Sequence, residues 1–111
     1  MTYEMNLHPG PFELIKSGQK DIEMRLYDDR RKAIRIGDII KFINRDTNET
    51  LIVEVINLYH FNSFDELYRN FDKTRLGYKT DEEANPSDME LYYFKEQIQK
   101  FGVLGIEIQL K

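Results

Sequence analysis

Apolar and polar positions along the chain alternate in short runs broken by turn residues, and the runs predict strands separated by small helical insertions. Thr2 to Leu7 alternates weakly and predicts an opening strand. His8-Pro9-Gly10-Pro11 is a punctuated turn, and Pro11 opens a short helix because its missing N–H costs nothing in a first turn. Phe12 and Ile15 share one face of that helix, and Ser17-Gly18 stops it. Lys20 to Leu26 predicts a strand with Ile22, Met24 and Leu26 on one side and Asp21, Glu23 and Arg25 on the other. Tyr27 to Arg35 reads as a charged loop with room for one helical turn.

Gly37-Asp38 turns the chain into a strand over Ile39 to Asn44, and Asp46-Thr47-Asn48 turns it into another over Leu51 to Leu58. That strand is β-branched and apolar, which predicts a central place in the sheet. Ser63 followed three residues later by Glu66 forms a capping box and starts a helix running to about Asn70. Lys73 to Asn85 is polar and reads as a surface loop. Ser87 and Glu90 suggest a second capping box, opening a helix with Leu91, Phe94, Ile98 and Phe101 on one stripe. Gly102 ends it, and Val103 to Leu110 closes the chain as a strand. The pattern predicts an α+β fold: a mixed β-barrel of about five or six strands with about three short helices.

A length of 111 residues fits one domain, 1–111. Hydrophobic residues at 41 % supply a packed core and argue against disorder. With no cysteine, disulfides, thiolate catalysis and Cys-bound zinc are excluded. His8 and His60 have no ligand spacing, so neither a metal nor a cofactor is expected. The N-terminus carries no signal-peptide pattern and no apolar run is long enough to span a bilayer, so the expected compartment is the cytoplasm, with no membrane partner.

The net charge of −4 argues against duplex DNA as a partner, which needs a broadly basic surface. The average conceals an asymmetry. Lys16 to Arg35 carries seven basic and four acidic residues, a segment of +3 on an otherwise acidic chain. A local positive patch suits a small or short anionic ligand, although a solvated charge run accounts for the composition equally well.

Candidate chemistry concentrates behind Gly18. Arg25 offers a planar fork for a phosphate or a base carbonyl. Glu23 offers an acceptor for an exocyclic amine, or a general base. Lys20, if partly desolvated beside Arg25, acquires a lowered pKa. Lys20 has the opposite strand parity and joins the other two only if the chain bulges as it leaves Gly18. An exposed ion-pair network is the plain alternative. Arg30 and Arg31 are candidate phosphate contacts from the charged loop, and Tyr92 and Tyr93 are candidate stacking platforms. Glu90 is either a helix cap or a site residue.

The spacing Gly18-x-Lys20-x-x-Glu23-x-Arg25 resembles the signature of the ASCH domain family. The preceding helix, Asp28/Asp29-Arg30-Arg31, the Ile36-Gly37-Asp38-Ile39 turn and the closing Gly102-Val103-Leu104-Gly105 strand fall in the same order. The resemblance implies a PUA-like barrel whose signature residues gather in a cleft, and binding of RNA or a nucleotide- or nucleoside-like ligand. It also implies an alternative, since a few small members are amidohydrolases that deacylate N-acylated cytidine with a Lys, a Thr and a Glu. Those roles fall on Lys20, Glu23 and Glu90 in this chain. Glu23 stands where the enzymes have Thr, so the hydroxyl nucleophile is missing.

Overall fold

The computed structural model describes residues Met1–Lys111. In chain order the elements are β1 (Thr2–Leu7), α1 (Pro9–Lys16), β2 (Ile22–Leu26), α2 (Asp29–Lys32), β3 (Ile39–Asn44) and β4 (Thr50–Phe61). They are followed by α3 (Phe64–Asn70), α4 (Lys73–Leu76), a 3₁₀ turn over Pro86–Leu91, α5 (Lys95–Phe101) and β5 (Val103–Leu110). Three helices reach seven residues or more, and α2, α4 and the 3₁₀ turn are shorter insertions. The expected α+β, PUA-like architecture is present.

One five-stranded sheet has the order β1-β3-β4-β5-β2, with β1 parallel to β3 and every other pair antiparallel. β4 is therefore central, as its apolar composition predicts. The sheet curls into a half-barrel. Its edges, β1 and β2, do not pair with each other, and the wall is open there.

The concave face holds the main core, in which Phe12, Ile15, Ile40, Phe42, Val53, Val55 and Ile106 are essentially inaccessible. Burying a side chain of that size contributes about 1.5–3 kcal/mol. A second core on the outer face joins Ile22, Met24 and Val103 to Phe64 and Leu67 of α3, Leu76 of α4 and Met89. β2 and β5 are thus covered on both sides. The alternation predicted for β2 holds, but its charged side faces inward. Glu23 and Arg25 pair across the ladder with Ile106 and Leu104, which belong to the main core.

β4 carries a bulge between Val55 and Asn57. One extra residue reverses the alternation. Val53 and Val55 face the main core before it, whereas Leu58 and His60 share the face of Ile106 and Leu104 after it.

Two expectations for the C-terminal half are corrected. The supposed loop from Lys73 contains α4, capped by Asp72 accepting from the Thr74 N–H at 2.9 Å. The single helix expected from Ser87 to Phe101 is broken in two. Asn85, not Ser87, caps the 3₁₀ turn, accepting from the Ser87 N–H at 3.2 Å. Gln97 caps a fresh start at Phe94 through the Phe94 N–H. Bulky Leu91-Tyr92-Tyr93-Phe94 lose rotamer freedom in a continuous helix. The break lets Met89, Tyr93 and Ile98 pack on the outer core instead. Leu91 and Phe94 of the expected stripe are 84 % and 75 % exposed.

Candidate functional site

A cavity of about 480 Å³ lies at the open seam between β1 and β2. Asn6 and His8 line it from the end of β1, Lys20, Glu23 and Arg25 from β2 and its approach, and Tyr68, Tyr78 and Asp88 from the helical side. The signature residues therefore converge on one concavity. Lys20 joins them because it precedes the regular strand. Its N–H donates to the Leu14 carbonyl at 3.0 Å, and the link from α1 to β2 is free of strand parity there.

The charges form an unequal triad. Arg25 donates through Nε at 3.0 Å and Nη2 at 2.9 Å to one oxygen of Glu23. The other Glu23 oxygen accepts from the Met24 N–H at 3.2 Å and lies 3.6 Å from the Lys20 ammonium. Lys20 Nζ donates at 2.9 Å to the Leu76 carbonyl. Lys20 and Glu23 are 6 % and 5 % exposed. Two cations thus share one carboxylate, Arg25 holds it more closely, and one positive charge remains uncompensated on the wall.

Protonation follows from this geometry. Burial lowers the pKa of Lys20 below the usual 10.5, and the partial attraction of Glu23 does not offset it. Burial pushes Glu23 the other way, toward the neutral acid, but Arg25 and then Lys20 outweigh it and hold the carboxylate below its ordinary 4.5. Lys20 is the more weakly compensated cation, so its proton is the one a ligand's charge influences most. With Lys20 labelled at Nζ with ¹⁵N, the ammonium is expected to titrate below 10.5. Affinity for an anion is then expected to fall as pH rises through that value, because the attracting charge is lost. A titration at the ordinary lysine position refutes this.

Gly77 makes the Lys20 contact possible. It ends α4 at φ +109°, and a Cβ there would stand 3.3 Å from Lys20 Cδ. Only glycine brings this chain reversal against the ammonium without strain. Gly77→Ala is expected to cost about 1–2 kcal/mol from the positive φ alone and to displace Lys20. Chemical denaturation reads the first effect and ligand titration the second; a variant equal to the parent in both contradicts this account.

The opposite wall is phenolic and acidic. The Tyr68 and Tyr78 hydroxyls lie 2.9 Å apart, and Tyr78 donates at 2.8 Å to Asp88. Burial, reinforced by these bonds, raises the Tyr78 pKa far above that of a free phenol. The cavity is therefore polarised: cations on the strand side, and a carboxylate-terminated chain of hydroxyls facing them.

Tyr93 is half-buried beside Arg25, with its ring stacked on Phe64 at 6.2 Å between centroids. Burial chiefly raises its pKa. Tyr92 is exposed on the rim, its ring 6.0 Å from that of His8. Glu90 does not line the cavity. It is exposed, 3.5 Å from Lys95, and the cap expected of it at Ser87 is made by Asn85. Arg30 is exposed and lines neither of the two large cavities, whereas Arg31 lines the second. Tyr68, Tyr78 and Asp88 escape a reading of the sequence. Asp72 and Gly77 bracketing four residues are the signal that reveals α4, which turns Tyr78 toward the cavity.

A curled half-barrel with signature charges gathered at its seam defines a PUA-like domain. The chain belongs to the ASCH domain family, whose model matches residues 5–110. The crystal structure of hypothetical protein PH0355 superposes with a TM-score of 0.84 at 32 % identity, covering 100 % of both chains. A Pyrococcus furiosus protein solved by NMR gives 0.71 at 33 % identity, over 99 % of this chain and 97 % of that one. The ASCH domain from Lactobacillus crispatus shares the fold, with a TM-score of 0.68 at 13 % identity over 98 % of this chain and 79 % of that one. No curated protein matches the chain.

Proposed function

We infer that the seam cavity binds one nucleoside-type unit, free or carried in a short RNA segment, without breaking a bond. The observation that carries this reading is the buried Lys20–Glu23–Arg25 triad with its single uncompensated positive charge. An electron-rich group such as a phosphate or a base carbonyl supplies the missing negative charge at Lys20. The Tyr68–Tyr78–Asp88 chain faces it with a carboxylate acceptor and phenolic hydroxyls, suited to the amine edge of a base. Tyr92 at the rim offers a stacking face. A volume of about 480 Å³ suits one nucleotide rather than a folded strand.

The test is calorimetric titration with uridine and cytidine monophosphates and a short RNA. Lys20→Ala is expected to weaken binding at least about tenfold, the scale of one charge-assisted hydrogen bond. Absence of binding to all three by the folded parent chain rejects the reading.

Deacylation of an N-acylated cytidine is the second reading. It is motivated by the depressed Lys20 pKa beside an ionised carboxylate. Glu90 is outside the cavity, so water activation falls to Glu23, with Lys20 holding the developing oxyanion. Incubation with N-acetylcytidine, followed by chromatography for cytidine, decides it. Turnover no greater than that of a Lys20→Ala control rejects it.

A further inference from the structure

We propose that a second groove, on the same concave face beyond Arg25, binds the phosphate backbone and one stacked base of a single-stranded nucleic acid. The groove has a volume of about 480 Å³, and no carboxylate lines it. Its floor is apolar, from Ile34, Leu58 and Leu104, and its wall is cationic, from Arg31, Lys32 and Arg35.

The cations differ in how far they are neutralised. Arg31 is held by Asp28 at 3.1 Å. Lys32 has only the almost fully exposed Asp29 at 3.9 Å. The Arg35 guanidinium donates to the backbone carbonyls of Lys32 and Ile34 and reaches no carboxylate. Asp38 attracts the Arg35 charge, but its two oxygens are engaged by the Arg35 N–H and the N-terminal amine. Lys32 and Arg35 therefore face the groove with no carboxylate in hydrogen-bond contact.

An aromatic pair completes the site. Tyr27 and His60 stack with centroids 4.0 Å apart, and the Lys32 ammonium lies 5.6 Å from the Tyr27 ring. The bulge in β4 puts His60 on this face. The absence of a side chain at Gly102, where a Cβ would stand 2.9 Å from His60 Nε2, lets the ring settle there. Weakly neutralised cations around an apolar and aromatic floor match a phosphodiester with an attached base better than a simple anion, which gains nothing from the floor.

The two cavities lie along one line of side chains. Glu23, Arg25 and Tyr27 follow one another at strand parity, so Arg25 and Tyr27 stand about 7 Å apart along the chain. Arg31 also bears on Tyr93, which lines the seam cavity. A strand with one base in the seam cavity continues naturally across Tyr27 toward Lys32 and Arg35. The class of ligand rests on the preceding reading of the cavity; the groove itself does not.

The experiment titrates a fluorescein-labelled uridylate octamer into the parent chain and into the double variant Lys32→Gln/Arg35→Gln, at several salt concentrations. Both substituted residues are exposed, and neither lines the seam cavity. The double variant is expected to bind about tenfold more weakly at low salt. The log–log salt slope is expected to be shallower by about 1.4, for two single-strand phosphate contacts. His60 ring resonances are expected to shift with the octamer. Uridine monophosphate affinity stays unchanged in the double variant and falls in Arg25→Ala. An unchanged octamer affinity and slope overturns the proposal, as does no octamer binding by the parent. Equal weakening toward a polyglutamate peptide also overturns it, by marking a general anion patch. Failure of the monophosphate alone counts against the seam cavity and leaves the groove judged by the octamer.

Discussion

Glu23→Ala is expected to destabilise the chain by about 3–5 kcal/mol, the usual cost of removing one partner from a buried ion pair. The substitution leaves Arg25 and Lys20 as neighbouring cations with no anion between them, in a place that excludes most water. At about 4–8 °C per kcal/mol for a domain near this size, the thermal midpoint is expected to drop by at least about 12 °C. Lys20→Met gives the opposite kind of result. It removes the poorly compensated ammonium and is expected to stay within about 1 kcal/mol of the parent, because the relieved burial offsets the lost bond to Leu76. Lys20→Met is expected to weaken ligand binding at least about tenfold while keeping the fold, so binding and stability separate in that variant.

The pH dependence follows with a definite sign. The depressed folded-state pKa of Glu23 means its contribution is present above about 4.5 and is lost as pH falls through the lower folded value. Lys20 is also depressed, which reverses the effect for a base: its penalty holds below the folded value and is relieved as pH rises toward 10.5. Urea unfolding at pH 3, 7 and 10 checks both. A Glu23→Ala midpoint within 3 °C of the parent disproves the account of the triad.

Arg25→Ala is the second large effect. It removes both hydrogen bonds to Glu23 and a third, at 3.2 Å, from Nη2 to the Asn6 carbonyl. The expected cost is about 3 kcal/mol, with the Glu23 pKa rising because its strongest opposing charge is gone. Arg25→Lys restores the charge but not the fork, and recovers only part of either loss. Binding of uridine monophosphate is expected to vanish in Arg25→Ala. Full stability in that variant contradicts the role assigned to the guanidinium.

The signature segment was legible because strand parity and charge coincide there. Glu23 and Arg25 share a face, and the turn at Gly18 frees Lys20 to meet them. Legibility ended at burial. Alternation says which residues share a side but not whether that side faces solvent, and only the β2–β5 register turns it inward. The polar wall was harder still. Tyr68, Tyr78 and Asp88 come from three segments, and nothing local ties a phenol to a carboxylate ten residues on. Glu90 shows the converse: a correct capping pattern at Ser87 was outcompeted by Asn85 before Pro86, and the helix start moved two residues upstream.

The Arg25 hydrogen bond to Asn6 has a consequence for the shape of the whole domain. Everywhere else the staves of this half-barrel are laced by main-chain bonds, but between its two edge staves the hydrogen-bonded tie is one side chain, itself held by Glu23. The clasp belongs to the same group that would greet an incoming guest, so occupancy and closure draw on one guanidinium. On the proposed reading a guest seated there would stand where a stave is missing, so binding is expected to stiffen the joint between the two edges.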